Sequence, residues 1–470
     1  MTFGPSNPAN SNAFQRDFLE RVFMEALTPV LAYRLNADQE PFAARIGETL
    51  TKTRAGLMVP NLTPLNPTTN TNIDNGLTGT GYGTEQYTLS LQQIAQASLP
   101  VNLADDELTI ASFLAKNSSN LGVAQASAID SLSRNTLFNA YMGGNTVITQ
   151  TLGAPATTVY VDDIRGFTTK MVNGVSTPVS PSNTLGITIN GNPYFVSGFA
   201  ASGLNISSAA ITGGISGTLT TTANVSVSDG TIGNRVLASN APAIVRPNNR
   251  PSTHLLTSSD LFTLDVALAA TTYLRNNNVF PFKETGYYHA IVDPTTMAQI
   301  FRDPSFQLLY RGETLDNPAY KEGYVSRALG MVFFMTTQAF IQPGQISGGF
   351  IPVPVPQTVH RPIVCGEGCL IEGVFTPGLN AIRAEARLGS YSNTVDFTNQ
   401  SAWGIMTERA ASYGSYMYIR PPIDRLGQIV TQTSSYIGGF TAPTDSLTNS
   451  TVIGTASNAD YKRCVVIETA

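Results

Sequence analysis

The sequence predicts an α+β protein, with an all-β stretch set between a helical stretch and a mixed one. Three observations predict it. Apolar residues recur at helical spacing over 14–27 and 105–137. Short strands separated by Gly, Asn, Pro and Ser fill 147–247 with no helical stripe. Beyond Pro247 helical and strand patterns alternate. At roughly 150 residues per domain, 470 residues correspond to about three domains, enough chain to bury cores without disulfide or metal staples.

The elements follow in order. Residues 1–12 form a Pro/Asn/Ser arm without pattern, and Phe14, Phe18, Val22, Phe23, Ala26 and Leu27 then make one amphipathic helix ending before Pro29. Between TKTRAGLMV and EQYTLSLQQIAQASLPV lies a stretch rich in Pro, Asn, Thr and Gly. Tyr87, Leu89 and Leu91 alternate with polar residues, the period of a strand with one buried face. This predicts a long two-stranded arm with a wide tip over Asn61 to Gly83. An isolated ribbon of two strands is marginal in water, so such an arm is expected to lie on another surface.

Asp105, Asp106 and Glu107 precede Leu108, Ala111, Leu114 and Ala115, with carboxylates favourable at a helix start. An interruption at NSSNLG is expected before a second helix striped by Ala124, Ala128, Ile129, Leu132 and Leu137, closed by Gly143-Gly144. From Val147 to about Pro247 the segments VITQ, TTVYVDDI, GITINGNPYFVSGF and GTLTTTANVSVS predict a small inserted β-sandwich or barrel. Met171 through Ser228 carries no charged residue.

After Pro247, Ser258-Ser259-Asp260 is expected to cap the helix in LFTLDVALAATTYLRNN. YYHAIV reads as a buried strand, and Asp293-Pro294 caps a helix through Phe301, with Pro at the favoured first position. GYVSRALGMVFFMTT reads as a short helix and a strand, and RPIVCG as another strand. YMYIRPP, QIVTQTSSYIGGF and CVVIET return the tail to β patterns, with the last strand joining a sheet begun earlier.

Composition excludes several functions. Charged residues are 13% of the chain, against about 25% in an ordinary soluble domain. The net charge of -5 leaves no cation excess to neutralise phosphates, so the chain is no globally basic nucleic-acid binder. The beginning lacks a basic segment followed by an apolar core, and secretory export is not expected. No apolar run approaches the ~18 residues of a membrane helix, so no membrane partner is expected.

Catalytic constellations are missing from the text. His254, His289 and His360 are the only histidines. His289 reads as a core residue and His254 as a loop residue, and no G-x-S-x-G turn sets a serine against any of them. His360, Cys365 and Cys369 invite a zinc reading. CGEGC is a single pair beside an apolar strand, and the cysteines read better as small core residues. Three cysteines give no even disulfide framework. GTGYGT has neither nucleotide-binding spacing nor a following lysine. The pairs Asp105-Asp106 and Asp162-Asp163 read as a helix start and a turn, not as acid/base partners. No catalytic, cofactor or metal residue is assigned and no enzyme activity is expected.

The order of parts, together with TRAGLMVPNLTPL, QYTLSLQQIAQASLPVNLAD, AIDSLSRNTLFNAYMGGNT, FPFKETGYYHAIVDPTTMAQIFRDP and EGYVSRALGMVFFMTT, resembles the major capsid protein of tailed bacteriophages, in particular the phage N-four-like group. The resemblance covers most of 14–145 and 255–375. It implies an N-terminal arm and helix at 1–50, an extended loop at 51–103, and a peripheral domain with a spine helix at 104–146. The inserted β domain is then 147–247, the axial α/β domain 248–380, and a C-terminal β-rich segment completing the peripheral and axial sheets 381–470. The partners it implies are further copies of the chain, as pentamers and hexamers. Portal and scaffolding proteins are expected too, with room for a decoration protein. Double-stranded DNA would be enclosed without sequence-specific binding, in a virion shell assembled in the host cytoplasm. Leu62, Leu65, Leu77, Tyr82, Phe14 and Phe18 are the expected contacts between subunits.

Low charge on arms limits the desolvation cost of burying them against neighbours, and one chain used many times in a closed shell suits overlapping arms. The rival readings are a secreted β-rich surface-layer or adhesin protein, and a hydrolase with a β accessory domain. The missing export signal opposes the first and the missing catalytic set opposes the second.

Overall fold

The computed structural model describes residues 22, 31–41, 49–55, 84–98, 100–102, 113–172, 175–201, 216–310, 327–344, 357–374, 405–406, 415–420, 429–445 and 460–470. Of the predicted first helix only Val22 is among them, and it is helical. The chain divides into two compact units. One comprises 1–50, 88–134 and 370–441, and the other 51–87, 135–369 and 442–470.

The first unit is organised on the strand Ile429–Thr441. It pairs antiparallel with Leu370–Val374, Ser415–Arg420, Gln92–Ala97 and Val101–Asn102, and Leu370–Val374 in turn pairs parallel with Ala37–Pro41. The second flank of the arm is therefore two strands, not one. Thr84–Ser90 pairs with Thr49–Ala55 as a ribbon, and after Leu91 the strand Gln92–Ala97 joins the larger sheet. Within this unit Glu372 is fully buried, with Arg34 Nη2 2.8 Å from its Oε1 and Tyr436 Oη donating to the same oxygen at 2.9 Å.

The long helix Phe113–Tyr141 runs without interruption through NSSNLG. Asn and Ser are indifferent helix formers, but Ser118 and Leu121 are buried, and packing overrides propensity. The buried stripe is Ser118, Leu121, Gln125, Ala126, Ile129, Ser133, Leu137, Phe138 and Tyr141. Ile129 and Leu137 were expected there. Ala124, Ala128 and Leu132 lie half-buried on the adjacent face. Asp130 is buried as well, where its Oδ1 accepts from Tyr33 N at 2.7 Å.

In the second unit, six strands between Asn145 and Ala238 form one sheet, while Thr169–Val172 and Val175–Pro178 pair as a separate ribbon. The order of the sheet is Asn145–Val147, Arg235–Ala238, Leu185–Ile189, Asn192–Ala201, Gly217–Val225, Ala156–Val161. Ile148 bridges to Val161, and Thr149 N donates to Tyr160 O at 3.0 Å, so the sheet closes on itself as a barrel. Leu185, Ile187 and Ile189 alternate inward with Val159, Val161, Val196, Leu219 and Val236 to fill it. The INGNPY turn is a two-residue hairpin in which Asn190 and Gly191 have φ of 51° and 87°, the left-handed pair that suits strand twist. Gly166, with φ 79°, packs where a Cβ would come within 2.1 Å of Gly144 N, just past the end of the long helix.

The same unit holds a six-stranded mixed sheet ordered Ile244–Val245, Cys464–Ile467, Ile363–Cys365, Tyr288–Val292, Met331–Met335, Arg327–Ala328. The closing strand of the chain thus sits inside a sheet built by earlier residues, paired parallel on one side and antiparallel on the other. Helices Leu264–Asn276 and Pro294–Arg302 bury Val266, Ala270, Leu274, Met297 and Ile300 in its core. Asp293 caps the second helix, its Oδ2 accepting from Thr295 N and Thr296 N at 3.0 and 3.2 Å.

Two local expectations are corrected. The helix Leu264–Asn276 is not capped by Ser258-Ser259-Asp260. Asp260 instead holds a loop through Thr257 N and Asn248 Nδ2, and Leu264 N donates to the distant Asp303 Oδ2 at 2.8 Å. Arg327–Ala328 is a strand where a helix was expected, turning through Leu329 and Gly330 into Met331–Met335.

Candidate functional site

The two-stranded ribbon is the element that the sequence singles out for contact with other molecules, and its root is well defined. Along Thr49–Ala55 exposure alternates, with Leu50, Lys52 and Arg54 on the half-buried face. Along Thr84–Ser90 the inward positions are Glu85, Tyr87 and Leu89. The alternation that places Tyr87 and Leu89 inside also places the Glu85 carboxylate there, a position the sequence analysis did not single out.

Around Glu85 and Arg54 the second unit gathers charges from its C-terminal segment. Arg54 Nη1 lies 3.0 Å from Asp445 Oδ1, and its Nη2 donates to Gly368 O at 2.9 Å. Arg463 Nε takes the other Asp445 oxygen at 2.8 Å. Asp445 therefore bridges a guanidinium on the ribbon and one beside the final strand. Thr444 Oγ1 donates to Glu85 Oε2 at 2.7 Å. Burial, with smaller contributions from Asp445 and Asp460, nevertheless pushes the Glu85 carboxyl up to about 7, against the pull of Thr444 and Lys462.

The final strand carries a second buried ionic group. Glu468 Oε2 lies 2.7 Å from Arg246 Nε, and its Oε1 lies 2.9 Å from Arg361 Nε. Thr253 Oγ1 adds a bond at 2.7 Å. Burial alone would raise this carboxyl, but the two guanidinium charges hold it down to about 2.

The histidines stand apart from one another. His289 stacks on Phe282 with ring centroids 4.0 Å apart, its Nε2 2.9 Å from Thr285 Oγ1, and burial lowers it to about 4. His360 Nδ1 lies 2.9 Å from Asp293 Oδ2. His254 is half-buried in a short 3-10 turn, its Nδ1 bonded to Ser252 Oγ at 2.9 Å. Asp163 pairs with Arg165, Nη2 to Oδ2 at 2.6 Å. Each of these contacts is accounted for by folding.

His360 does not join Cys365 and Cys369. The residue that does is Cys464, and the three Sγ atoms lie within 4.8 Å of one another. The reading of CGEGC as a solitary pair is corrected here. Nothing local in the sequence brings residue 464 to residue 365; the pairing of their strands does.

The expected intersubunit contacts Phe14, Phe18, Leu62, Leu65, Leu77 and Tyr82 lie outside the described residues, as do Asp105 and Asp106. Among the described residues no helix is long and apolar enough to cross a membrane.

No family model and no curated protein matches the chain. Solved structures do match. The capsid of Ralstonia phage GP4 has 11% identity and a TM-score of 0.47, over 95% of this chain and 90% of its own. The capsid of the cyanophage P-SCSP1u has 10% identity and a TM-score of 0.44, over 92% and 86%. The capsid asymmetric unit of cyanophage Pam1 has 9% identity and a TM-score of 0.43, over 96% and 93%.

Proposed function

We propose that this chain is the major capsid protein of a tailed bacteriophage, of the N-four-like group, assembling with copies of itself into the icosahedral head around double-stranded DNA. The observation that carries the reading is the ribbon. Among the described residues Thr49–Ala55 and Thr84–Ser90 pair with only each other, and the weakly charged residues 56–83 lie between them in the sequence. A two-stranded ribbon has too little buried surface to be stable by itself, and its root is fastened by the partly buried ionic cluster at Asp445. Such an arm gains stability by lying across a neighbouring copy.

In this reading 51–103 is the extended loop, 104–146 carries the spine helix and 147–247 is a β insertion. Residues 248–380 form the axial domain, and 381–470 complete the sheets. Phe14, Phe18, Leu62, Leu65, Leu77 and Tyr82 make the contacts with neighbours. Portal and scaffolding proteins come from other chains, assembly takes place in the host cytoplasm, and the role is structural with no catalysis. The mild negative charge suits a container whose inner wall must release DNA.

Co-expression with the neighbouring assembly genes, followed by electron microscopy, tests this. Closed shells are expected. Planar arrays would favour a surface-layer protein, and a soluble monomer under every such condition would overturn the reading.

A further inference from the structure

The chain contains three cysteines, and all three meet at one point. Strand pairing brings two of them together. Cys365 closes the strand Ile363–Cys365 and lies directly opposite Cys464, the first residue of Cys464–Ile467. The turn Gly366-Glu367-Gly368 brings Cys369 back to the same place. That turn is pinned along its length: Gly366 N donates to Arg463 O at 2.8 Å and Glu367 N to Phe280 O at 2.9 Å. Arg463 Nη1 donates to Glu367 O, also at 2.9 Å. All three cysteines are wholly buried, and no disulfide joins any of them.

Ordinary packing of small residues does not require that every thiol in the chain converge. Three thiols gain little from one another as hydrogen-bond partners, because S–H is a weak donor and sulfur a weak acceptor. A single cation gives them a common partner. Metal–sulfur bonds of ~2.3 Å set ligand sulfurs ~3.8 to 4.0 Å apart in tetrahedral or trigonal array, inside the observed limit of 4.8 Å. A disulfide would draw two sulfurs to ~2.05 Å and leave the third over.

We propose that Cys365, Cys369 and Cys464 form a closed site for one thiophilic d10 cation, Zn(II) or Cu(I), bound by three thiolates. Soft sulfur ligands select such ions over magnesium or calcium. Among the described residues no further histidine, cysteine or carboxylate completes the group. Three thiolates alone suit Cu(I), whereas Zn(II) takes a fourth donor. Tyr141, fully buried with its Oη donating to Cys369 O at 3.0 Å, stands beside the site. Each sulfur binds the ion as a thiolate, so uptake releases whatever thiol protons the free site holds and weakens as pH falls. The bound ion would fasten the last strand to the turn whose Gly368 carbonyl also receives Arg54 from the ribbon.

The test uses the full-length chain, purified under reducing, oxygen-free conditions and stripped with a chelator. It is titrated separately with Zn(II) and with Cu(I) held in a competing ligand, with elemental analysis after desalting. One equivalent of either ion per chain, with a raised melting temperature that Cys464→Ser abolishes, is the expected result, and the arm that binds identifies the ion. Should Cys464→Ser fail to fold, Cd(II) added to the wild type reads the same site, through a thiolate-to-metal absorption band that saturates at one equivalent. Three reactive thiols after denaturation with no uptake of any of these ions would overturn the proposal. So would two thiols lost to a disulfide, or metal uptake that Cys464→Ser retains.

Discussion

Arg54 and Asp445 are joined by an ion pair, Nη1 to Oδ1 at 3.0 Å, that ties the ribbon to the segment preceding the final strand. The guanidinium also reaches Gly368 O, so it fixes two parts of the C-terminal half at once. The pair is partly buried, and Asp445 keeps Arg463 when Arg54 is lost. Arg54→Ala is therefore expected to loosen the ribbon by ~1 to 2 kcal/mol without unfolding the chain. Limited proteolysis should show cleavage between 55 and 84 faster by roughly tenfold or more. Arg54→Lys should recover only part of the protection, since an ammonium cannot reproduce the forked contact.

Glu85 gives the root of the ribbon a pH dependence of unusual sign. Its carboxyl is raised to about 7 by burial, among Asp445, Asp460, Lys462, Arg54 and Arg463. The folded chain holds this proton more tightly than the unfolded one. The stabilisation is present in full below the ordinary carboxyl range and is lost as pH rises through about 7. Glu85→Gln keeps the neutral shape without the titration. Thermal melts at pH 5 and pH 8 should show wild type and variant similar at the lower pH. At the higher pH the variant should be more stable by ~2 kcal/mol, after allowance for solvent screening.

Glu468 contributes with the opposite sign. Held down to about 2 between Arg246 and Arg361, it supports the fold above the usual carboxyl range, and that support is lost as pH falls toward 2. Glu468→Gln leaves two buried guanidinium groups facing an amide. The expected cost is ~3 to 5 kcal/mol, read as a lowered denaturant midpoint. Replacing Glu468, Arg246 and Arg361 together by apolar residues should cost less than the single change.

The parts of this fold that were legible in the sequence are those in which local pattern and packing agree. The NG turn at 190–191, the fully buried strand at Tyr288, the Asp293 cap and the closing strand CVVIET all stand where period and turn chemistry put them. Misreadings occur where long-range packing outvotes a local signal. Ser118 and Leu121 are buried, and the helix passes through NSSNLG unbroken. Asp260, a plausible cap, is taken by Asn248 and Thr257, and Asp303 does its work from another helix end. The cluster at Asp445 and the meeting of Cys464 with Cys365 were invisible for a different reason: they depend on side-chain contact and strand pairing across about a hundred residues or more, which no local period encodes.

The closed barrel makes a prediction about excision. Its first strand is Asn145–Val147, and Gly144 N donates to Arg165 O while Ala238 N donates to Gly144 O, both at 2.7 Å. A fragment starting at 147 would lose an edge of the closure, whereas one spanning 143–241 keeps every strand. The longer fragment is expected to melt cooperatively with β-type circular dichroism. The shorter one should melt at least several degrees lower. Equal melts for the two would mean that the pairing of Asn145 and Thr146 with Leu237 and Val236 contributes little.

Covalent joining of the arm to a neighbour is the remaining alternative to a non-covalent clasp, and it requires an arm amine placed to attack. Between 51 and 103 the sole lysine is Lys52. It lies on the strand Thr49–Ala55, on the same half-buried face as Arg54, whose guanidinium is engaged by Asp445 at the root. At ~3.3 Å per residue a strand position this close to the root cannot serve a contact at the tip. Under the proposed function the contacts expected there are instead the apolar Leu62, Leu65 and Leu77. Lys52→Ala is therefore expected to leave assembled particles intact, while deletion of 62–82 abolishes them. Denaturing electrophoresis of mature particles reads the outcome directly. One band near 50.0 kDa is expected, and a ladder of multimers that Lys52→Ala removes would show that the arm is covalently joined.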